Sequence, residues 1–445
     1  MIKPSSCRSV LLLSFLALPV VHCFAGTPED FSTALPDSGR LSDFLPPAPQ
    51  QAADPGRGGP SIKEWTIMVF MNSKNNLEQQ GLNDINEMEA VGSTDKLNIV
   101  VEAGRMAGYA FSDGDWTGTR RYLIRKDSDD AKVTSETVED LGKVDMGDYK
   151  ALAAFGQWAK EKYPARKYML IVWNHGSGWE KGARTKAGRG ISFDSETGNH
   201  LTTPQLGQAL SEIGKVDVFA TDACLMQMAE VGFEIKDYAD YIVGSEETEP
   251  GDGYDYAAFL APLAARPEVP PADLARQAVD SFVDQYKARN KGATQSVLKA
   301  AALSGLPRKI DAWVGAVMAA GLKKEAQDSR AFAGNFALND NKDLSWFVRL
   351  VGEKTKDPGV GAAGAALIGF IDRDLVLHSR YNNEPPGSYM DDLVDDPIEI
   401  PGIDYSQARG LAVYLPGMYS YGEGYSELAW ARATRWNEFV HWYRR

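Results

Sequence analysis

The segment VDVFATDACLMQM, residues 216–228, decides how the rest of the sequence is interpreted. Residues 216–220 are apolar, β-branched or aromatic, which predicts a buried strand. Apolar residues at helical spacing predict a helix that begins near Leu225. Cys224 then lies at the carboxyl end of a strand and the amino end of a helix, where backbone N–H groups favour a thiolate. The alternative is a small, buried hydrophobic residue, which is the commoner role of a single cysteine.

Patterns of strand and helix alternate along the chain before and after this segment. Strands are predicted at 65–71, 97–103, 168–173 and 241–245, helices at 76–91, 146–162 and 203–213, and hairpin-like structure over 109–144. This alternation predicts an α/β fold, a mostly parallel sheet flanked by helices, with functional groups at the carboxyl ends of its strands. We expect a core over 63–258 and a mainly helical region over 259–445, with a late strand at about 410–415 that rejoins the sheet.

The amino terminus has the pattern of a secretory signal peptide over residues 1–25. A basic start precedes an apolar region at 11–21 that is too short to span a membrane, and small residues allow cleavage after Ala25. A lipid anchor on Cys23 is the less favoured alternative. Residues 26–62 are rich in Pro and Gly and predict a flexible leader or propeptide. We therefore expect an exported protein, either secreted or periplasmic.

Composition and charge narrow the class of protein further. The 445 residues, 44% hydrophobic and 24% charged, are enough for a large core or two domains. A net charge of −14 argues against nucleic acids and anionic membranes as partners, and no segment is long and apolar enough to predict a membrane span. Of the three cysteines, only Cys224 remains after cleavage of the signal peptide. Its thiol can form no internal disulfide and is therefore either buried or functional.

His175 follows a predicted strand in the same way that Cys224 does. Of the five histidines, it is the one followed by Gly-Ser-Gly, whose backbone can approach a substrate closely. A cysteine nucleophile needs a base and later an acid, and an imidazole performs both functions. His175 lies 49 residues before Cys224 (224 − 175), the order and spacing of caspases. The backbone N–H groups of Gly176 and Cys224 are candidates for an oxyanion hole.

Several motifs stand in a characteristic order along the sequence: NHGSGW at 174–179, TDACLMQMAEV at 221–231, SEETEPGDGYDY at 245–256, and GLAVYLP at 410–416 followed by YSELAWARATRWNEFV at 425–440. Together they resemble the clostripain family of secreted cysteine endopeptidases. The resemblance runs from about Trp65 to the carboxyl terminus. It implies a caspase-like α/β fold, a Cys–His dyad and cleavage after basic residues. Carried over to this sequence, it makes Cys224 the nucleophile and His175 the general base and acid.

Two acidic residues are candidates for substrate binding. Asp252 lies 28 residues after Cys224 (252 − 224), and it resembles the acid at the base of the family's primary specificity pocket. A carboxylate there binds an Arg guanidinium in bidentate fashion, or a Lys ammonium with looser geometry. Asp222 resembles a second acid near the pocket, although a helix cap is almost as good an interpretation. Glu247 and Glu249 are interpreted as solvated acids of a loop.

Some members of the family depend on calcium, which acidic oxygens bind. The chain has one run of acids that could chelate a cation, although such a run is more typical of a solvated loop. Its residues are Asp391, Asp392, Asp395 and Asp396. We therefore assign no metal ligand and expect no cofactor to be required for the chemistry, with calcium left as an implication of the resemblance.

The loop KGARTKAGR, residues 181–189, lies between the candidate histidine and cysteine. Such a basic tract among small residues is what an Arg- or Lys-specific peptidase would cut, and the family is processed between these two residues into chains that stay together. The candidate processing residues are Lys181, Arg184, Lys186 and Arg189. The alternative is a surface loop whose charges only keep it solvated.

Together these patterns predict an exported cysteine endopeptidase that cleaves protein or peptide substrates after Arg or Lys and is self-processed in its basic loop. Two alternatives stay open. One is a caspase-like peptidase with another primary specificity, because pocket shape depends on loops that the sequence does not define. The other is a catalytically silent, secreted binding protein, although such a protein needs no combination of His175, Cys224 and Asp252.

Overall fold

The computed structural model describes residues 62–179, 190–334, 336–389 and 398–445. The predicted signal peptide, almost all of the leader, the basic loop and the run of aspartates lie outside these residues. Within them, no helix combines the length and the apolar character needed to cross a lipid bilayer.

The chain forms strands and helices that we number in chain order. The strands are β1 (Lys63–Asn72), β2 (Leu97–Arg105), β3 (Gly118–Leu123), β4 (Thr137–Gly142), β5 (Ala165–Trp173), β6 (Ile191–Asp194), β7 (Asn199–Leu201), β8 (Val216–Asp222), β9 (Ala239–Gly244), β10 (Ala293–Lys299), β11 (Asn341–Asp343), β12 (Val376–Asn382), β13 (Gly387–Tyr389), β14 (Ile398–Ile400) and β15 (Ala412–Tyr414). The helices are α1 (Glu78–Glu89), α2 (Tyr149–Lys162), α3 (Thr203–Ile213), α4 (Ala229–Ile235), α5 (Tyr256–Ala265), α6 (Pro271–Ala288), α7 (Leu306–Ala319), α8 (Lys323–Arg330), α9 (Leu344–Glu353), α10 (Pro358–Phe370), α11 (Ala429–Ala433) and α12 (Trp436–Arg444).

The centre of the fold is a nine-stranded sheet with the order β12-β10-β9-β8-β5-β1-β2-β3-β4. Its five middle strands, from β9 to β2, are parallel. Antiparallel strands complete it on both sides, β10 and β12 beyond β9 and the β3–β4 hairpin beyond β2. The predicted α/β fold with a mostly parallel sheet is confirmed.

Helices cover both faces of this sheet, which explains why its middle strands are mostly apolar and buried on both sides. Along β1, Met68 and Phe70 pack in one hydrophobic core with α2, α3 and α4. Ile67 and Val69 point to the other face and pack in a second core with α1, α5 and α6. All four side chains are fully buried. Because helices cover both faces of the sheet, a functional site can form from the loops at the carboxyl ends of the strands.

The prediction that the late strand rejoins the sheet was wrong. β15 (Ala412–Tyr414) pairs antiparallel with β11 in a separate two-stranded sheet. The position beyond β9 is taken by β10 (Ala293–Lys299), which pairs with β9 on one side and with β12 on the other. Ala412 forms an isolated parallel bridge with Met228, the residue just before α4, and does not pair with a strand of the nine-stranded sheet. The mainly helical region therefore contributes β10 and β12 to the sheet, rather than the late strand.

Candidate active site

The pairing of β5 with β8 places His175 and Cys224 at the same end of the sheet. Trp173 pairs with Asp222 in parallel register, and the N–H of Asn174 donates to the carbonyl of Asp222 at 3.1 Å. His175 and Cys224 each lie two residues beyond that last pair. Both are buried, with 8% and 5% of their surface exposed. The structure thus brings together the two residues that the sequence singled out.

Gly176 lets the two strand ends approach each other. A Cβ at this position would lie 2.4 Å from the carbonyl oxygen of Cys224 and 3.1 Å from its nitrogen. Only glycine fits such a contact, because no larger residue lets the two backbones come so close. The two residues predicted to form an oxyanion hole are therefore neighbours, while their role in binding an oxyanion stays a prediction.

Cys224 does not lie at the start of a helix, and that prediction was wrong. α4 begins at Ala229, five residues further on (229 − 224). Instead, the N–H groups of Leu225 and Gln227 donate to the carbonyls of Glu247 and Ser245 at 3.0 and 2.9 Å. Leu225 has a φ of +66°, which is unusual for a branched side chain and marks a tight turn. The nucleophile candidate is thus held by pairing with the segment 245–247 and gains no helix dipole.

The thiol of Cys224 contacts the backbone of Glu249. Its Sγ lies 3.3 Å from the Glu249 nitrogen, which donates to it, and 3.7 Å from the Glu249 carbonyl oxygen. The N–H suits a thiolate, and the carbonyl suits a thiol that donates its S–H. Both protonation states of the sulfur therefore have a partner in the same residue.

The imidazole of His175 is oriented by Asn76, a residue that the sequence analysis missed. His175 Nε2 lies 2.8 Å from Asn76 Oδ1. Because an amide oxygen only accepts, Nε2 carries the proton and Nδ1 is left with the lone pair that a base needs. Asn76 lies in the loop between β1 and α1, and α1 begins at Glu78 rather than at the predicted residue 76. Asn76 could have been found from its position just after the carboxyl end of β1, because β1 lies beside β5, the strand that precedes His175.

Three further asparagines surround this side of the site. Asn174 accepts from the Phe193 N–H at 2.9 Å, and Asn75 donates to the Phe193 carbonyl at 3.0 Å. Asn72 donates to the hydroxyl of Ser192 at 3.1 Å. These bonds dock the β6–β7 hairpin against the ends of β1 and β5. We call Asn72, Asn75, Asn76 and Asn174 the amide group.

Both ends of the undescribed segment 180–189 are held close to His175. On its carboxyl side, Gly190 donates to the hydroxyl of Ser177 and accepts from the Ser177 N–H, each at 3.0 Å. Ile191 forms an isolated bridge with Gly176. On its amino side, Trp179 is 5% exposed and its ring centroid lies 4.7 Å from those of Tyr414 and Tyr425. The candidate processing residues Lys181, Arg184, Lys186 and Arg189 lie outside the described residues.

Asp222 is buried beneath the loop that follows β9. Its Oδ2 accepts from the Tyr254 N–H at 3.3 Å and from the Tyr256 hydroxyl at 2.9 Å. It does not cap α4, whose N-cap residue is Met228, so the helix-cap interpretation was wrong. Burial raises the pKa of the Asp222 carboxyl to about 6, although the Tyr256 hydroxyl opposes this effect.

Asp252 lies on the surface and is paired with a basic residue. Its side chain is 67% exposed, and its Oδ2 lies 2.5 Å from Nη1 of Arg289, just past the end of α6. The neighbouring Gly253 packs on Asp222, since a Cβ there would lie 2.7 Å from Asp222 Oδ1. The two acids predicted to bind substrate are therefore adjacent, but one is buried and the other is open to solvent.

Glu247 and Glu249 are not solvated, and the sequence interpretation of both was wrong. Glu247 is 4% exposed and accepts from the Tyr405 hydroxyl at 3.1 Å and the Ala337 N–H at 2.9 Å. Glu249 is 7% exposed and accepts from Gln295 Nε2 at 3.2 Å. The backbone pairing of this segment with the turn after Cys224 draws it into the protein, which the acidic sequence alone does not reveal.

Two acids of α1 complete this side of the site. Asp84 accepts from the indole N–H of Trp173 at 2.6 Å, and Glu87 accepts from the Tyr256 N–H at 2.9 Å. Burial, and then the negative charges of Asp222 and Glu87, raise the pKa of Asp84. Burial also raises the pKa of Glu87 to about 7. We call Asp84, Asp222 and Glu249 the acid group.

No metal site is evident in the described part of the chain. There, no group of three or more His, Cys, Asp or Glu residues could hold a metal ion. Asp391, Asp392, Asp395 and Asp396 lie outside that part. The calcium requirement implied by the resemblance therefore stays untested.

The fold and the site define a caspase-like α/β protein that carries histidine and cysteine at the carboxyl ends of neighbouring parallel strands. A sequence model of the clostripain family matches residues 69–352, more than half of the chain and the part that holds both side chains. The protein belongs to the clostripain family.

Individual relatives agree with this assignment. Clostripain of Hathewaya histolytica is 31% identical over 212 residues, which cover 43% of this chain and 40% of that protein, so the match spans well under half of the relative. A secreted C11 cysteine protease from Bacteroides thetaiotaomicron, solved with an irreversible peptide inhibitor, has a TM-score of 0.61 at 20% identity and covers 84% of this chain and 99% of its own. An inactive zymogen of a C11 protease from Parabacteroides distasonis has a TM-score of 0.58 at 17% identity, with coverages of 84% and 99%. At these identities the two structures establish the fold.

Proposed function

We propose that this protein is a cysteine endopeptidase that hydrolyses peptide bonds after Arg or Lys. Cys224 is the nucleophile and His175 the general base and acid. The observation that carries the proposal is their placement two residues beyond the paired Trp173 and Asp222, with Asn76 fixing the imidazole. Membership of the clostripain family supports the same activity.

The geometry supports a definite proton path. Because Nε2 of His175 donates to Asn76, Nδ1 takes the proton of the thiol. The thiolate then attacks the scissile carbonyl, a C–S bond forms, and the oxygen becomes an oxyanion beside the N–H groups of Gly176 and Cys224. The protonated His175 gives its proton to the departing amine as the C–N bond breaks. His175 then deprotonates a water, whose oxygen bonds to the acyl carbon as the C–S bond breaks, and the proton returns to Cys224 as the acid product leaves. These steps use no cofactor.

The acidic surroundings of Cys224 support a basic substrate. Asp252 presents an exposed carboxylate to a substrate guanidinium or ammonium. The substrate cation either replaces Arg289 as the partner of this carboxylate or binds it together with Arg289. Asp222, buried beside it, adds negative charge to the same pocket. A positive side chain lowers the electrostatic cost of these neighbouring acids, whereas a negative one raises it. The partners are therefore protein or peptide substrates that contain Arg or Lys.

The order of the strands supports self-processing between 181 and 189. In the nine-stranded sheet, β1–β5 precede this segment in the chain, and β8, β9, β10 and β12 follow it. A cut there leaves His175 and Cys224 on different chains. The hydrogen bonds between β5 and β8 and the docking of the β6–β7 hairpin on the amide group then keep both chains together.

Export by the signal peptide of residues 1–25 is part of the proposal. One structural relative is described as a secreted protease, which agrees with an exported family member. The sequence pattern favours a secreted or periplasmic protein over one anchored by a lipid at Cys23.

The activity is tested with fluorogenic peptides that differ only in the residue before the scissile bond. We expect turnover with Arg and Lys, little with Ala or Asp, and none by Cys224→Ala. Turnover confined to neutral or acidic residues would assign another specificity. A wild-type protein that cleaves no peptide and reacts with no thiol-directed probe would be a binding protein.

Self-processing is tested by denaturing gels and mass spectrometry of the purified wild type and Cys224→Ala. We expect two fragments that meet within 181–189 for the wild type and one uncut chain for the variant. Cleavage of the variant at the same bond would show that another peptidase makes the cut. A wild type that stays uncut and fully active would exclude the loop from activation.

A further inference from the structure

Glu249 is a buried acid beside the thiol to which the proposed mechanism gives no role. Its backbone contacts Cys224 Sγ at 3.3 Å, and its side chain is more than nine-tenths buried. Oε1 accepts from Gln295 Nε2 at 3.2 Å, whereas Oε2 receives no N–H or O–H bond among the described residues other than a proton shared with the Asp222 carboxyl. A buried carboxyl oxygen whose neighbour is a second carboxyl is costly to ionise, and a bound cation would relieve that cost.

The polar groups around Glu249 Oε2 offer more hydrogen-bond acceptors than free donors. Gln295 uses its amide N–H groups on Glu249 and on the Tyr254 hydroxyl, and its Oε1 is buried without a partner. The carboxyl of Asp222 faces that of Glu249 and can offer it only a shared proton. The basic residue of this wall, Arg289, pairs with Asp252 instead. What this part of the site lacks is a positively charged donor.

The charged and titratable groups on this wall come from every element packed against it. They are Asp84 and Glu87 of α1, Asp222 of β8, Asp252, Tyr254 and Tyr256 of the following loop and α5, Tyr286 of α6, and Arg289 beyond α6. Acids outnumber the single guanidinium on this wall, so it becomes more negative as each carboxyl ionises, while the phenols stay neutral.

We propose that Glu249 determines specificity together with Asp252 and Asp222, with its Oε2 receiving the N–H groups of a substrate Arg or Lys side chain. This inference rests on the proposed function. A guanidinium carries five N–H donors and an ammonium three, and both are cations, so each supplies what the pocket lacks. The proximity of Glu249 to Cys224 places the bound side chain next to the nucleophile.

The electrostatics of the site without substrate agree with this role. Burial, and then the negative charge of Asp222, raise the pKa of Glu249, while Gln295 and the N–H of Ala223 oppose the change less strongly. The site without substrate therefore favours a shared proton between Glu249 and Asp222. A cation bound between the two carboxyls takes the place of that proton.

The test compares Glu249→Gln with Glu247→Gln, a matched control two residues away in the same loop. Glu247 is equally buried but is bonded to Tyr405 and Ala337. For Glu249→Gln we expect kcat/KM on Arg and Lys peptides to fall at least about tenfold, mostly through KM, with neutral peptides changed less than about twofold. For Glu247→Gln we expect the ratio of basic to neutral activity to match the wild type.

Equal losses on basic and neutral peptides in Glu249→Gln would overturn the inference, because they would mean that Glu249 only positions the Cys224 turn. If this variant does not fold, Glu249→Asp takes its place, with the carboxyl drawn back by one methylene. We expect its ratio of basic to neutral activity to fall several-fold, and an unchanged ratio would contradict the proposal. A wild type that cleaves no Arg or Lys peptide would instead refute the proposed function itself.

Discussion

The two walls of the site are built from different polar groups. On the His175 side, the amide group holds β1, β5 and the β6–β7 hairpin with side chains that both donate and accept. On the Cys224 side, the acid group has side chains that, when ionised, only accept, and they receive bonds from Trp173 of β5, Tyr254 of the loop after β9 and Gln295 of β10. Amides do not titrate, so the hydrogen-bond donors and acceptors of the amide group are the same at every pH. The second wall changes its charge with pH, and it is the wall to which the proposed function assigns recognition of a basic substrate.

The largest loss of activity is expected when the reactive residue of either wall is replaced. We expect Cys224→Ala and His175→Ala each to lower kcat/KM at least about 1,000-fold, because the dyad acts as a unit. Both side chains lie beyond strand ends, so the melting temperature should change little. Circular dichroism and thermal unfolding provide the control. Turnover comparable to the wild type in either folded variant would remove that residue from the chemistry.

Asn76→Ala tests the amide wall. We expect kcat to fall about 10–100-fold on all peptides alike, because the imidazole loses the acceptor that fixes its tautomer. KM should stay near the wild-type value, and Asn76→Asp, which keeps an acceptor oxygen, should lose less activity. A loss of kcat on basic peptides alone would contradict this distinction between the two walls, because the amide wall would then take part in recognising the substrate's charge.

Asp252→Ala tests the exposed edge of the acid wall. We expect kcat/KM on Arg and Lys peptides to fall about tenfold, a modest effect because the carboxylate is well solvated. Neutral peptides should be unaffected. Arg289→Ala is the matched variant, and it should raise the affinity for basic peptides a few-fold by freeing Asp252 Oδ2. Equal losses on basic and neutral peptides would assign Asp252 a structural role.

The smallest expected effect concerns stability and pH. The pKa of Glu87 is raised from 4.5 to about 7 in the folded protein, so the folded state binds more protons than the unfolded state between these values. The contribution of Glu87 to the free energy of unfolding therefore falls as the pH rises from about 4.5 to 7. We expect the wild type to lose about 1 kcal/mol more than Glu87→Gln between pH 5 and pH 8, after allowing for partial solvent exposure. Urea unfolding measures this difference, and equal slopes with pH would contradict it.

Those parts of the fold that are apolar on both faces could be predicted from the sequence. The mostly apolar segments of β1, β2, β5 and β8 are buried against helices on each side, and the predicted ends of these strands lie within three residues of the observed ends. His175 and Cys224 were found because each follows such a run. β10 was missed because its sequence, ATQSVLK, is half polar although the strand is almost wholly buried.

The contacts that complete the site could not be predicted, because they join distant parts of the chain. Asn76 meets His175 across 99 residues, and no local pattern in the sequence selects that partner. Glu249 looks like a solvated acid until the pairing of 225–227 with 245–247 draws its loop inward. Asp222 resembled a helix cap only because the helix after Cys224 was expected to start four residues too early (229 − 225).

The junction between β5 and β8 also governs how the protein recovers from unfolding. The two strands pair from Met169 with Val218 to Trp173 with Asp222, and the chain that joins them, residues 174–215, contains the segment 180–189. An intact chain rebuilds this pairing within one molecule, at a rate that does not depend on dilution. Once the connection is cut, the same step requires an encounter of two polypeptides and slows as the protein becomes more dilute. If the proposed cut is made and the protein is highly diluted, unfolding would separate His175 from Cys224 faster than the two chains could meet again, and the lifetime of the cut form would be set by its rate of unfolding.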